Sequence, residues 1–228
     1  MDAPYVITFV ADEQPDVRAV HATALDVGLR TTPEGGDSRY AECRVNRDLW
    51  RNVPSEQALT EVEEADSGVL YMFTPSGVEI GITFPDTDVM GEWWGRLRVL
   101  FQTIEIDRSP QDSSQVRTRI EEIVDLVAAL TPIADPEYVW SAVSDENERH
   151  DFVLPDGRPI ADNVDDLSWI TVMSPDVTEQ FGGRDHVLET PTWRTEEFDS
   201  GHIMLVLRNH PYKPTDDRDG SWKRHLLR

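Results

Sequence analysis

Two of the six histidines, both in the C-terminal part of the sequence, are the best candidates for acid–base chemistry. His186 follows Asp185 directly and borders a predicted strand, and His202 opens the last predicted strand. If the fold brings them together with Glu179 or Glu197, they form an acid–base or metal cluster. Because 44 carboxylates place some acid near any histidine by chance, these residues are candidates without an assigned role.

Sequence motifs that hold cofactors or metals do not occur in this chain. The sequence contains neither GxGxxG nor GxxxxGK[ST] nor GxSxG, and it has no HExxH or CxxC. We therefore predict no cofactor and no metal site, and we assign no catalytic residue.

A pair of adjacent tryptophans is the best candidate for binding chemistry. Trp93 and Trp94 lie between Gly91 and Gly95, where the chain is free to bend. Such a bend turns a large side chain outward, and exposed indoles are typical of binding hot spots. We predict that Trp93 or Trp94 contacts a partner, the alternative being that both are buried in the core.

Hairpins and irregularly placed helices dominate the predicted elements. The apolar run 69–73 leads through a Pro-Ser-Gly turn into residues 78–84, which alternate in polarity, and 192–198 with 202–208 form a second hairpin. Apolar residues at helical spacing predict a long helix from Ser113 or Ser114 to Leu130, which Pro132 helps to end. This order favours an α+β fold, a mainly antiparallel sheet with two or three packed helices.

One domain is expected over residues 1–208, the alternative being two lobes that divide near residue 110. Residues 144–166 are strongly acidic and contain a Pro-Asp-Gly turn, so we expect a surface excursion there. Residues 209–228 form a locally basic C-terminal tail that carries both lysines of the chain, Lys213 and Lys223. The tail is expected to fold back onto the acidic body, or to dock on an acidic partner.

The charge balance indicates a salt-rich environment. The chain has 44 acids and 21 bases, for a net charge of −23, and only two of those bases are lysine. Repulsion among these charges opposes compaction of the chain. At about 1 M salt the Debye length falls to roughly 3 Å, so most of this repulsion is screened. We infer a halophilic host. The same charge repels polyanions, so we expect no nucleic-acid partner.

Features of a secreted or membrane protein are not evident. Cys43 is the only cysteine and therefore forms no internal disulfide. The N-terminus lacks the basic and apolar regions of a signal peptide, and no apolar run approaches the ~20 residues that span a bilayer. We expect a cytoplasmic protein that has no membrane partner.

Three segments resemble a known family in their order. They are the Trp-bearing strand Ser168–Pro175, then Phe181-Gly182-Gly183, then Gly201-His202-Ile203-Met204-Leu205. Over residues 140–210 this order resembles the C-terminal half of α+β immunity proteins from bacterial polymorphic-toxin systems. The resemblance implies an acidic, non-enzymatic, stoichiometric binder with a protein partner, and it implies no catalytic residues.

The leading interpretation is a non-enzymatic, protein-binding protein, with the immunity or inhibitor type as its more specific form. One alternative is a small enzyme with a site near Asp185, His186 and His202. The other is an acidic mimic of nucleic acid, which would present carboxylates in regular rows. A binder needs an exposed aromatic patch, and an enzyme needs a concave pocket with converging polar groups. The oligomeric state stays open.

Overall fold

A computed structural model describes residues 4–46, 48–85, 95–107, 112–143, 167–211 and 221–226. Within these residues ten strands form one antiparallel sheet, which confirms the predicted α+β class. The predicted excursion at 144–166 lies outside the described residues. The strands are β1 (Pro4–Val10), β2 (Tyr40–Val45), β3 (Arg51–Pro54), β4 (Gly68–Phe73), β5 (Glu79–Phe84), β6 (Leu97–Gln102), β7 (Tyr138–Val143), β8 (Ile170–Met173), β9 (Arg194–Glu197) and β10 (Ile203–Val206).

Three longer helices and four short ones accompany these strands among the described residues. The longer ones confirm the two or three packed helices that the sequence predicts. The helices are α1 (Val17–Asp26), α2 (Ser55–Glu63), α3 (Thr103–Ile106), α4 (Ser113–Ala134), α5 (Pro175–Gln180), α6 (Arg184–Leu188) and α7 (Ser221–Leu226).

The strand order is β3-β2-β4-β5-β6-β1-β7-β8-β10-β9. The N-terminal strand β1 lies inside the sheet and pairs with both β6 and β7. Strands from before and after residue 110 therefore pair within one sheet. Among the described residues β3 and β9 are the two outer strands, and each pairs with a single neighbour, β2 and β10 respectively.

Two apolar clusters lie on opposite faces of the sheet. The larger one joins α1, α2 and α4 to alternate residues along β1, β4, β5 and β6. The smaller one joins α5, α6 and α7 to the opposite face of β7, β8 and β10. Strands β8 and β10 are buried at all four of their positions, because both of their faces are covered.

The long helix α4 supplies the main helical part of the larger cluster. Ile120, Ile123 and Val124 are essentially inaccessible to solvent, as the predicted apolar stripe requires. The helix begins after Asp112, whose carboxylate accepts hydrogen bonds from Ser114 and Gln115. The hydrogen bond from Ser114 contributes most to holding the pKa of Asp112 below its ordinary value.

Pro132 does not end α4, which is a correction to the sequence-based prediction. The helix continues to Ala134 and ends where Asp135 adopts a left-handed conformation. Proline loses only one backbone hydrogen bond in the last turn. The Thr131 hydroxyl donates to the Val127 carbonyl at 2.9 Å, and the Asp135 N–H donates to the Thr131 carbonyl at 3.0 Å.

Candidate functional site

His202 is buried beneath the end of α4, where it supports the structure. Its Nε2 lies 2.9 Å from the Pro136 carbonyl oxygen, which can only accept a hydrogen bond. Nε2 therefore donates this hydrogen bond, and Nδ1 forms a second one, of 2.9 Å, with the Ser200 hydroxyl. Both ring nitrogens are engaged in fastening the start of β10 to the chain after α4.

His186 lies on α6 rather than beside a strand, and it contacts the C-terminal helix. Its Nε2 lies 3.0 Å from the His225 carbonyl oxygen, and the Nε2 of His225 lies 2.8 Å from the His186 carbonyl oxygen. The two imidazoles stack with their centroids 4.1 Å apart. The carbonyls only accept, so each Nε2 carries its proton and donates. His225 was not predicted as the partner of His186.

The three candidate catalytic residues belong to separate networks. Asp185 is exposed and forms an ion pair with Arg184 at 2.8 Å. No hydrogen bond or ion pair joins Asp185, His186 and His202 to one another among the residues that the structure describes. Across the same residues, no group of histidine, cysteine and carboxylate side chains is arranged to hold a metal ion.

The described end of the C-terminal tail packs on the body. Trp222 and Leu226 of α7 are buried in the smaller apolar cluster, which also contains Trp140 and Phe181. Because a six-residue helix is unstable alone in water, these contacts are what hold α7 in place.

An acidic cleft of about 1010 Å³ opens beside the buried His202. Its lining includes no lysine or arginine among the described residues. The acids that line it are Asp12, Glu13, Asp16, Asp135, Glu137 and Asp176. Asp16 has a structural task there, because its carboxylate accepts the Ala19 N–H and caps α1. A chain of net charge −23 places carboxylates on any concave surface, so the cleft defines no site by itself.

An exposed aromatic surface lies at the β3 end of the sheet. Leu49 is 85% exposed and Trp50 is 45% exposed. The Trp50 ring packs edge-on against Tyr71 of β4, with a centroid distance of 4.1 Å. The Arg44 guanidinium lies 5.6 Å from the Trp50 ring centroid, within range of a cation–π contact. We call Arg44, Leu49, Trp50 and Tyr71 the aromatic edge.

Strand register explains how these side chains meet. Cys43 is opposite Arg51 in the β2–β3 ladder, so one step further along the register places Trp50 opposite Arg44. Tyr71 is opposite Glu42 on the other side of β2. Burial raises the pKa of the Tyr71 phenol, so this ring stays uncharged. Trp50 remains exposed because β3 is the outermost strand.

The aromatic edge is also the part of the acidic chain where arginines concentrate. Residues 39–51 contain four arginines and two acids, which is a local charge of +4 − 2 = +2. Arg51 reaches Glu61 of α2 at 2.8 Å, and its side chain is still 43% exposed. Arg39 is likewise paired with Asp37 at 2.6 Å, so the surface combines exposed apolar groups with arginines that already have acidic partners.

The predicted binding residues Trp93 and Trp94 lie outside the described residues. Trp50 was not singled out, because its local sequence does not distinguish it from the other four tryptophans outside the 93–94 pair. The signal that would have identified it is Leu49, an apolar residue with mostly polar and charged neighbours in the sequence. At the end of a short outer strand such a residue stays exposed to solvent.

Comparisons with known proteins include a structural neighbour but no sequence relative. No family model and no curated protein matches the chain. A Pseudomonas aeruginosa T6SS protein, PA0821, is similar in structure with a TM-score of 0.48 and 16% sequence identity. The match covers 99% of this chain and 71% of that chain. A likeness this weak does not establish a shared fold, and the function proposed below does not depend on it.

No helix within the described ranges has both the length and the apolar character needed to cross a bilayer.

Proposed function

We propose that this protein is a non-enzymatic binding protein of the inhibitor or immunity type, and that another protein docks on its aromatic edge. The observation that carries the proposal is the exposure of Leu49 and Trp50 beside Arg44. Tryptophan, tyrosine and arginine dominate the energetics of protein interfaces. An exposed leucine next to a tryptophan costs solubility unless a partner covers both.

The contacts within the edge favour a preorganised anchor. Tyr71 and Arg44 hold the Trp50 ring before any partner arrives, so binding freezes little additional side-chain motion. The enzyme alternative has the acidic cleft beside His202 as its concave pocket, but His186 and His202 donate to backbone carbonyls in different parts of the fold.

Replacing Trp50 by alanine is expected to abolish most of the affinity for the native partner. Truncation of such an anchor costs about 2 kcal/mol or more, which is roughly a 30-fold loss. The partner is first captured from an extract of the native host at its own salt concentration, then purified. Calorimetry then measures the dissociation constant of the complex that the purified partner forms with the parent and with Trp50→Ala.

Ile104→Ala is the matched control, because Ile104 is also an exposed apolar residue but follows β6, away from the aromatic edge. It is expected to bind as the parent does. Both variants are first shown to melt like the parent. If Trp50→Ala binds the purified partner with the parent affinity, the aromatic edge is not the interface.

We also propose that the protein works in the salt-rich cytoplasm of a halophilic host. The net charge of −23 supports this, because self-repulsion of this size is screened at molar salt. We expect the melting temperature to rise steadily between low salt and molar KCl. Thermal melts monitored by circular dichroism measure it, and a flat or falling melting temperature contradicts the adaptation.

A further inference from the structure

The outer strand β3 directs part of its main chain away from the sheet. The Ser55 N–H donates to the Arg39 carbonyl at 2.9 Å, so these two residues form a hydrogen-bonded pair. In an antiparallel ladder such pairs alternate, so positions 53 and 51 also bond to β2. The N–H and C=O groups of Asn52, and of Trp50 before it, therefore point outward.

The opposite edge of the sheet is protected by charge, in contrast to β3. On β9, Arg194 pairs with Glu196 at 2.7 Å and with Asp125 at 2.6 Å. Glu197 pairs with Arg184 at 2.6 Å. Charged side chains on an edge strand are a usual means of preventing strand addition. Of the two outer strands that the structure describes, β3 is therefore the one open to a further strand.

The open stretch of β3 is limited at both ends. Pro54 has no N–H to donate outward. At the other end, the Asp48 N–H already donates to the Val45 carbonyl at 2.8 Å. Of the outward positions 48, 50, 52 and 54, only Trp50 and Asn52 can therefore exchange both hydrogen bonds with an added strand.

These limits select one way in which two copies of β3 can pair about a twofold axis. With Arg51 on the axis, Trp50 of each copy is opposite Asn52 of the other, and both pairs exchange their hydrogen bonds. Pro54 then falls opposite Asp48, so the two residues without an available N–H lie together where the ladder ends. An axis at Asn52 would place Trp50 opposite Pro54. An axis at Trp50 would place Asn52 opposite Asp48, so each of these alternatives loses hydrogen bonds.

The same register brings apolar side chains together and balances the charges at the axis. Leu49, which is 85% exposed, is opposite the half-buried Val53 of the other copy. Arg51 is opposite Arg51 of the other copy, and like charges in this position repel. Each guanidinium is 2.8 Å from the Glu61 carboxylate, however, so the axis brings together two ion pairs rather than two bare charges.

We propose that two copies of this chain associate through β3, about a twofold axis at Arg51, to form one continuous sheet. The inference goes beyond the proposed function, because it uses the main chain of β3 and the side chain of Leu49. The Trp50 ring packs against Tyr71 and beside Arg44. Cross-strand neighbours lie side by side, so Asn52 of the second copy leaves this ring available to the protein partner.

Sedimentation equilibrium tests the association directly. The net charge of −23 on each copy opposes it, so the measurement is made at about 1 M KCl, where the Debye length is roughly 3 Å and this repulsion is screened. We expect a mass twice that of one chain. A parent protein that stays monomeric at about 100 μM in this buffer, and so has a dissociation constant weaker than that, overturns the inference.

Asn52→Pro removes the outward N–H, whereas Asn52→Ala removes only the side chain. Both variants are first shown to melt like the parent. In molar KCl we expect Asn52→Pro to weaken dimerisation at least about tenfold, and Asn52→Ala to change it by less than about a factor of two. Equal effects of the two variants contradict pairing through the main chain of β3.

Hydrogen exchange in the parent is a second readout that needs no variant. The Asn52 amide is expected to exchange more slowly as the protein concentration rises, because a second copy covers it. The Val53 amide, which bonds to β2, is the internal control and should keep the same rate. Exchange of the Asn52 amide that does not depend on concentration overturns the inference.

Single cysteines test the register. The two copies of position 51 form a non-hydrogen-bonded pair, whose Cα atoms lie about 4.5 Å apart and can be bridged by a disulfide. The background is Cys43→Ala, because Cys43 is opposite Arg51 within one chain and would compete. On oxidation we expect a disulfide-linked dimer for Arg51→Cys but not for Asn52→Cys. Any other pattern overturns the register.

Trp50→Ala separates this inference from the proposed function, since only the main chain of Trp50 takes part in pairing. This variant is expected to dimerise as the parent does. A monomeric parent whose native partner is lost in Trp50→Ala removes the dimer and leaves the proposed function. A dimeric parent whose Trp50→Ala variant binds the partner with full affinity leaves the dimer and removes the proposed function.

Discussion

Replacing Ile123 by aspartate is expected to unfold the protein. Ile123 lies on the buried face of α4 and is completely inaccessible to solvent in the larger apolar cluster. A carboxylate there has no water and takes the place of close-packed methyl groups. The expected cost is about 4 kcal/mol or more, which is comparable with the total stability of about 5–15 kcal/mol typical of a domain.

The control for this change is Thr118→Asp, which places the same side chain on the exposed face of the same helix. It is expected to melt within a few degrees of the parent. Urea unfolding followed by circular dichroism gives the two free energies of unfolding. Comparable stability of the two variants would mean that the buried face of α4 is assigned incorrectly.

Replacing Gly95 by alanine is expected to destabilise the fold by about 2–4 kcal/mol, through backbone strain and overpacking together. Gly95 has φ +74°, and a Cβ at this position would lie 2.5 Å from the Phe9 carbonyl oxygen and 2.7 Å from the Thr8 side chain. The Phe9 oxygen accepts the Arg96 N–H at 2.9 Å. Because β1 is held by strands on both sides, it cannot move away.

Gly77→Ala separates strain from overpacking. Gly77 has a similar φ of +85°, but a Cβ there would meet nothing within 4 Å. Gly77→Ala should therefore lower the free energy of unfolding only by the cost of placing alanine in the left-handed conformation, about 1–2 kcal/mol. The free energies of unfolding of both variants, measured in urea, give the contribution of the clash by difference. Equal losses would show that the chain near Gly95 relaxes.

Much of the secondary structure was predictable because its causes are local. The β4–β5 hairpin follows from an apolar run, a Pro-Ser-Gly turn and strict alternation over residues 78–84, and α4 follows from an apolar stripe of helical period. Where the prediction failed, as at Pro132, a hydrogen bond from the Thr131 side chain and the left-handed Asp135 kept the last turn intact. β3 was missed, because only four residues leave too little periodicity to detect.

The candidate site was less predictable, because it depends on which strands become neighbours. Trp50 and Tyr71 are 21 positions apart, and they meet only because β2 pairs with both β3 and β4. The candidate histidines lie in different networks for the same kind of reason. His186 and His202 each meet a backbone carbonyl supplied by a distant part of the chain, at His225 and at Pro136.

The sequence by itself determined the fold class, most of the elements and an acidic surface of net charge −23. These properties depend on residue types and on spacing along the chain, so neighbours a few residues away are sufficient to set them. Only the tertiary structure decided that β1 is internal and that β3 is an outer strand with Trp50 in water. Many of the strands are similarly apolar, so their local patterns do not specify the order of the strands in the sheet. Long-range strand pairing and helix packing select that order.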